Sequence, residues 1–402
     1  MAGEFEFVIR CLRLNDKREP FLTLAPGEEE GLNWDEVLRI AREHGVVASV
    51  HAALSPHESK IPEPAWSSLK QQYHVSVGRS VFVVAQFLKV VKALDEAEVK
   101  VLPYKGPVLS KQLFDQPGVR ESKDIDLILH RRDVAKAKAV LMGLGYQQDV
   151  EMSAREERFL LESRKESSYD FKLPYASGRG KRLKVELHWR VPLTSSVPSD
   201  WYWNSLMPYT FEGVALQVFT LETQLIVLLA HGFRHYWESL KWLSDIDLLV
   251  RKYRDLDWDQ FERQAIELGV WRVVLFGLHL SQRLLGTPLP GQVNSWIEGE
   301  HLVGSLVPGA VENMTGLHRC PVGLTNNLRI RERVRDRFYY LGNVMDYLFV
   351  PEITDYRRFP LPRPLWPIYW FIRPFKVMSC LRDKYGLGSI GRVLVGKFRS
   401  PR

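Results

Sequence analysis

Asp124-Ile125-Asp126-Leu127-Ile128-Leu129 is the stretch on which the reading of this 402-residue sequence turns. As a β-strand it points residues two apart to one face, so Asp124 and Asp126 project together while Ile125 and Leu127 enter the core. Two carboxylates held side by side repel each other, and a bound divalent cation is the usual relief. The sequence carries its own control in Asp245-Ile246-Asp247. There the flanking periodicity is helical, and at ~100° per residue two aspartates two apart diverge by roughly 200° around the axis. The triplet therefore has weight only in a strand context.

That context is present on both sides. Upstream, Val99-Lys-Val-Leu-Pro-Tyr-Lys-Gly106 is a β-branched run closing on Pro and Gly, which predicts a strand, a tight turn and a short helix over Pro107 to Phe114. Downstream, the polar, turn-rich Asp115 to Lys123 leads into the acidic strand, and Arg132 to Leu144 has helical periodicity ending at Gly145. Two further strands, Ser168 to Leu173 and Arg182 to Val191, flank a hairpin signal at Ala176-Ser-Gly-Arg-Gly180. In the second of these Leu183, Val185, Leu187 and Trp189 share one face, while Lys184, Glu186, His188 and Arg190 share the other. Glu186 is the candidate third carboxylate, Asp170 its competitor, and His188 flanks the acidic group.

Helical spacing surrounds this mixed unit. Apolar residues recur at three and four from Trp34 to about Leu94, interrupted at Pro56, Pro62 and Pro64, and again from Thr220 to about Leu285. Residues 286–330 are rich in Gly and Pro and show no readable period. Arg329 to Phe349 reads as a helix, and Pro351 to Lys376 is Pro- and aromatic-rich. The expectation is an α+β protein in four segments: an N-terminal helical region (1–97), a small mixed-sheet core (98–218), a helical domain (219–330) and a basic, aromatic C-terminal region (331–402).

Composition narrows the function classes. With 45% apolar and 26% charged residues, long disorder and collagen-like repeats are excluded as the bulk architecture. The net charge of +7 is local: residues 321–402 hold 16 basic and 6 acidic side chains, and the rest of the chain 39 against 42. No apolar run approaches the ~20 residues of a spanning helix. No signal peptide is read at the N-terminus, and Cys11, Cys320 and Cys380 form no pair pattern, so a cytoplasmic location is expected.

Leu102-Pro-Tyr-Lys-Gly106, Gly118-Val-Arg120, Asp124-Ile-Asp-Leu127 and Val185-Glu-Leu-His-Trp189 together resemble the uncharacterised nucleotidyltransferase family within the DNA polymerase beta nucleotidyltransferase superfamily. The likeness extends to His231-Gly232, Leu240-Lys-Trp-Leu-Ser-Asp245, Asp355-Tyr-Arg357 and Ile372-Arg-Pro374, and covers roughly Trp34 to Lys376. It implies a nucleotidyltransferase core and two-metal nucleotidyl transfer. Asp124 and Asp126 would ligate two Mg²⁺ ions, with Glu186 on the second ion or acting as base. NTP is the implied co-substrate; the acceptor, a small molecule, protein or RNA, is not specified. Lys105, beside Gly106, and Arg120 are candidates for neutralising phosphate, and Lys241 for reaching the nucleotide from the helical domain. The chain departs from the superfamily pattern at the turn, where Gly106-Pro107 replaces Gly-Gly or Gly-Ser and Pro107 has no N–H to give, and at Glu186, where Asp is frequent.

Two other readings remain. The basic C-terminal region fits an RNA-binding or RNA-modifying protein meeting phosphates through Arg331, Arg333 and Arg335. Pro107 and Glu186 fit a catalytically weakened scaffold. His231 and His235 have the i, i+4 spacing of zinc ligands, but the Glu of a zinc-protease motif is missing, which favours packing. For Leu365 to Ile372, followed by Arg373 and Lys376, an interfacial anchor and packing on the helical domain compete; packing is preferred, because two prolines in ten residues argue against a long amphipathic helix.

Overall fold

The computed structural model describes residues 3–385, apart from 16–18, 20–21, 25–26, 117–118, 149–150, 163–167, 175–182, 192, 194, 198–199 and 317–323. The expected turn at Ala176 to Gly180, Gly118, Cys320 and the basic residues beyond Tyr385 lie outside the described residues. The chain is α+β, as its patterning predicts. Strands β1 (Val101–Pro103), β2 (Asp124–Leu129), β3 (Gln147–Gln148), β4 (Ser168–Leu173) and β5 (Leu183–His188) form one sheet in the order β1-β2-β5-β4-β3. Only β2 and β5 run parallel, with Asp124 opposite Lys184, Asp126 opposite Glu186 and Ile128 opposite His188.

The period-2 pattern sorts the two faces. Ile125, Leu127, Leu129, Val185 and Leu187 enter a core with Val83, Phe87, Val90 and Leu94, from the second half of the helix Glu63–Glu96. The other face carries the acidic residues. A second hairpin, β6 (Leu206–Phe211) and β7 (Val214–Phe219), turns at Glu212 and Gly213, both at positive φ (45° and 79°). Two left-handed residues match the twist of a two-residue hairpin. Local sequence does not announce this hairpin, because Glu seldom takes the first left-handed position.

A larger apolar core joins the helices Gly3–Leu12, Trp34–Glu43 and Val47–Leu54 to Leu221–Arg234, Leu240–Lys252, Trp258–Leu268 and Trp271–Leu285. Ala65, Trp66 and Leu69, at the start of Glu63–Glu96, belong to this core, so one long helix bridges it to the sheet. Three helices occupy the Gly- and Pro-rich stretch: Gly291–Gly299, His301–Met314 with Pro308 inside, and Leu324–Ile330. At the end of the chain Tyr369–Tyr385 is one helix that continues through Pro374. The prolines were expected to prevent it, but Pro367 lies in the 3₁₀ turn before it.

Trp237 fills the centre of the helical core at 0% exposure. A Cβ on Gly232 would stand 2.4 Å from its ring, and one on Gly277 2.5 Å from Leu229 and 2.6 Å from the same ring. The glycine of His231-Gly232 is thus explained by close packing. Nearby, buried His44 ties two helices: its Nδ1 accepts the Leu240 N–H at 3.1 Å, and its carbonyl accepts from Ser239 Oγ at 2.9 Å. Burial pushes its pKa down from 6.5 to about 4.

Gly277→Ala is expected to lower stability by about 1–3 kcal/mol through overpacking, read as a lower urea midpoint with an unchanged slope. The His44 shift sets a pH dependence. Between pH 6.5 and about 4 the unfolded state binds the extra proton, so the stability His44 contributes is complete above 6.5 and is lost as pH falls. Urea unfolding should show a loss of roughly 2 kcal/mol from this group between about pH 7 and 5, and His44→Gln should flatten that part of the slope.

Candidate active site

Parallel pairing of β2 with β5 sets Asp126 beside Glu186, and the pleat adds His188 two residues on. One ligand atom from each of the three lies within 4.8 Å of the other two. His188 Nε2 is 3.1 Å from Asp126 Oδ1 and 3.4 Å from Glu186 Oε2. Lys105 Nζ approaches Asp126 Oδ2 at 3.6 Å and lies 4.6 Å from the centroid of the Tyr104 ring. The other Glu186 oxygen meets Lys184, which also donates to Asp170 at 3.2 Å.

These groups balance one another. Burial alone would raise the Asp126 pKa, but Lys105 and His188 hold it well below the usual carboxylate range. Burial works against charge on His188, and its hydrogen bonds to Asp126 and Glu186 prevail, raising its pKa. Asp124 is left over: burial, then the charges of Asp126 and Glu186, push its carboxyl up despite Lys105. Burial works against charge on Lys105, but Asp126, Tyr104 and Asp124 together outweigh it and raise its pKa.

The turn that presents Lys105 requires its glycine, because Gly106 sits at φ +70°. Pro107 occupies the first turn of the helix Gly106–Phe114, where a missing N–H costs the helix nothing. Behind Lys105 lies an aromatic wall. Tyr104 meets His188 and His231 edge-on at 6.0 and 6.1 Å, and His231 lies 4.6 Å from His235 and 5.2 Å from Trp242.

The helix Leu240–Lys252 closes the site from the helical side. Arg120, buried, donates to Asp245 through Nε and Nη2 at 2.7 and 2.8 Å, whereas Asp247 turns to Arg251 at 2.9 Å and Thr287 at 2.7 Å. The second Asp-Ile-Asp diverges as its helical context dictates. Lys241 Nζ lies 3.5 Å from the Glu121 carbonyl, and burial, then Arg120, lowers its pKa to about 8.

The sequence model of a family described as "Uncharacterised nucleotidyltransferase" matches residues 30–286. The chain belongs to this family. Among solved structures, the antibiotic-resistance factor ANT(2'')-Ia is similar over 60% of this chain and 100% of its own, at 12% identity and a TM-score of 0.28. A nucleotidyltransferase-like protein from Paracoccidioides brasiliensis is similar over 53% and 95%, at 15% identity and a TM-score of 0.30. Overlays this loose say nothing about side chains. No curated protein matches the chain.

For this nucleotidyltransferase-family chain, the structure brings Asp126, Glu186 and Lys105 together and sets Asp124 on the same strand face. The Asp124 carboxylate is not part of the three-residue cluster, and Asp170 is turned to Lys184. Arg120 is engaged by Asp245. His188 was read only as a flanking residue; the alternation along β5 was its signal, and the register that places it was not legible. Of the arginines expected to meet RNA, Arg331 is buried 4.0 Å from the centroid of the Tyr340 ring and Arg333 donates to the Ile266 carbonyl, while Arg335 is exposed.

Removing the Arg120 partner leaves a buried guanidinium uncompensated. Asp245→Ala is expected to cost about 3–5 kcal/mol in urea unfolding, and Asp245→Asn, which keeps an acceptor, less.

Proposed function

We propose that the chain transfers an NMP unit from an NTP to an acceptor hydroxyl with divalent-metal assistance, releasing pyrophosphate. The observation that carries this reading is the convergence of Asp126, Glu186 and His188 beside Lys105, on the strand face that Asp124 shares. The residues fit metal ions: hard oxygen donors predominate, and burial, then the neighbouring charges of Asp126 and Glu186, push the Asp124 carboxyl up, a charge crowding that a cation would relieve. Asp124, Asp126 and Glu186 would hold two Mg²⁺ ions, with His188 orienting Asp126 and Glu186. Bound there, the metal would orient the triphosphate and lower the pKa of the acceptor hydroxyl.

The remaining work falls to the chain. Lys105, at the N-terminus of Gly106–Phe114, neutralises phosphate charge, and the helix N-terminus adds to it. Arg120, fixed by Asp245, contributes positive charge without moving. Lys241 reaches the nucleotide from the helical side. The hydroxyl oxygen bonds to the α-phosphorus as the bond to pyrophosphate breaks, and Glu186 is placed to accept the proton. In this reading residues 98–218 carry the chemistry, 1–97 and 219–330 support it, and 331–402 stand apart from it.

Asp126→Asn keeps the side-chain volume and removes the charge. It is expected to abolish Mg²⁺- or Mn²⁺-dependent NTP binding in calorimetry and to reduce pyrophosphate release by roughly a hundredfold or more. NTP affinity unchanged from wild type in a folded Asp126→Asn protein would exclude this site.

A further inference from the structure

Exposed apolar surface is concentrated at the C-terminal end of the described chain. Of the 16 large apolar side chains that stand exposed among the described residues, 12 fall between Val334 and Phe375. Isolated exposed apolar residues are normal, but a concentration marks a contact surface.

The pattern is ordered. On the helix Val334–Phe349, Val334, Phe338 and Met345 follow helical spacing at 63%, 69% and 50% exposure. Through the 3₁₀ turn and the helix Tyr369–Tyr385, Ile368, Phe371 and Phe375 do the same, the last two at 76% and 79%. The two helices pack on each other, and charged residues are buried there beside Tyr369 and Val377. Arg373, 2% exposed, donates to the Tyr347 carbonyl at 2.9 Å, to Glu352 at 2.7 Å and to Asp355, while Asp336, 0% exposed, accepts from the Ser196 N–H at 2.9 Å. The outer face is thus more apolar than in the ordinary amphipathic arrangement, in which the apolar stripe faces the core. The preference for packing Leu365 to Ile372 is corrected in part: Tyr369 is buried, while Leu365, Ile368, Trp370, Phe371 and Ile372 stand exposed.

We propose that this face docks on an anionic lipid bilayer surface, with its aromatic and aliphatic side chains at the headgroup–acyl boundary and basic residues on the headgroups. Charge complementarity selects this occupant: residues 321–402 carry 16 basic against 6 acidic side chains, and Arg335 and Arg358 stand exposed. Aromatic and aliphatic residues next to cations are the composition of an interfacial contact. A second copy would bring two like-charged regions together. The face lies on the bilayer, since no helix among the described residues is long and apolar enough to cross it.

The test is co-sedimentation of the full chain with phosphatidylcholine vesicles, with and without phosphatidylglycerol. Binding is expected only with phosphatidylglycerol, weakening as salt rises, with a blue shift of tryptophan emission that Trp370→Phe reduces. Phe371→Glu/Phe375→Glu should lower the bound fraction roughly tenfold or more, and Arg335→Glu/Arg358→Glu should weaken binding, both with unchanged circular dichroism. Three results overturn the proposal: no sedimentation with either vesicle; binding undiminished in Phe371→Glu/Phe375→Glu; or indifference to vesicles together with a dimer or an RNA complex that the same variant dissolves.

Discussion

The parallel register of β2 on β5 is the constraint from which the rest of the site follows. It forces Asp126 and Glu186 onto neighbouring positions of one sheet face, with apolar side chains filling the other face completely. A slip of one residue would turn Asp126 into the core and Leu127 to the site, so the apolar face fixes the acidic one. Once fixed, the two carboxylates need positive charge. His188 and Lys105 supply it, one from the same strand and one from the turn after β1. Asp124 lies outside that cluster, and burial, then the charges of Asp126 and Glu186, raises its pKa.

The same economy of charge ties the sheet to the helices. Arg120 leaves the loop before β2 and meets Asp245 125 residues later, where both are nearly free of solvent. A buried ion pair adds little stability over an apolar pair, yet breaking it is costly, so its effect is to specify one arrangement of the two halves. Trp237 specifies the helical half in a different way. Its ring needs two glycines on two helices, and any Cβ at either place collides with it.

Local chemistry was legible in the sequence wherever period and turn residues agreed. β2, β4 and β5, the helix after Gly106 and the helical blocks on both sides were readable, because each is declared within about ten residues. The divergence of the second Asp-Ile-Asp was readable for the same reason. What escaped depends on distant partners or on residues in unusual conformations. His188 could be placed on the right face of β5, but only the parallel register brings that face to Asp126. The Asp245 partner of Arg120 was hidden because nothing near either residue announces the other. The Glu212-Gly213 hairpin and the helices threaded with Pro308 and Pro374 run against local preference and are decided by packing.

The basic excess of the C-terminal region shows how far formal charge differs from available charge. Arg331 is stacked on Tyr340, Arg333 and Arg337 donate to backbone carbonyls, Arg357 pairs with Glu156, and Arg373 and Lys376 share Asp355. Most of these guanidinium groups therefore serve as donors to neighbouring backbone and side chains, and Arg373 and Lys376 use the acidic residues Glu352 and Asp355 of the same stretch. Where Arg373 takes an inner position between the helices, much of the apolar surface is left on the outside. Exposed rings and buried salt bridges are thus two consequences of one packing choice. The region takes its character from the side of each helix that faces its neighbour, which a count of charges does not record.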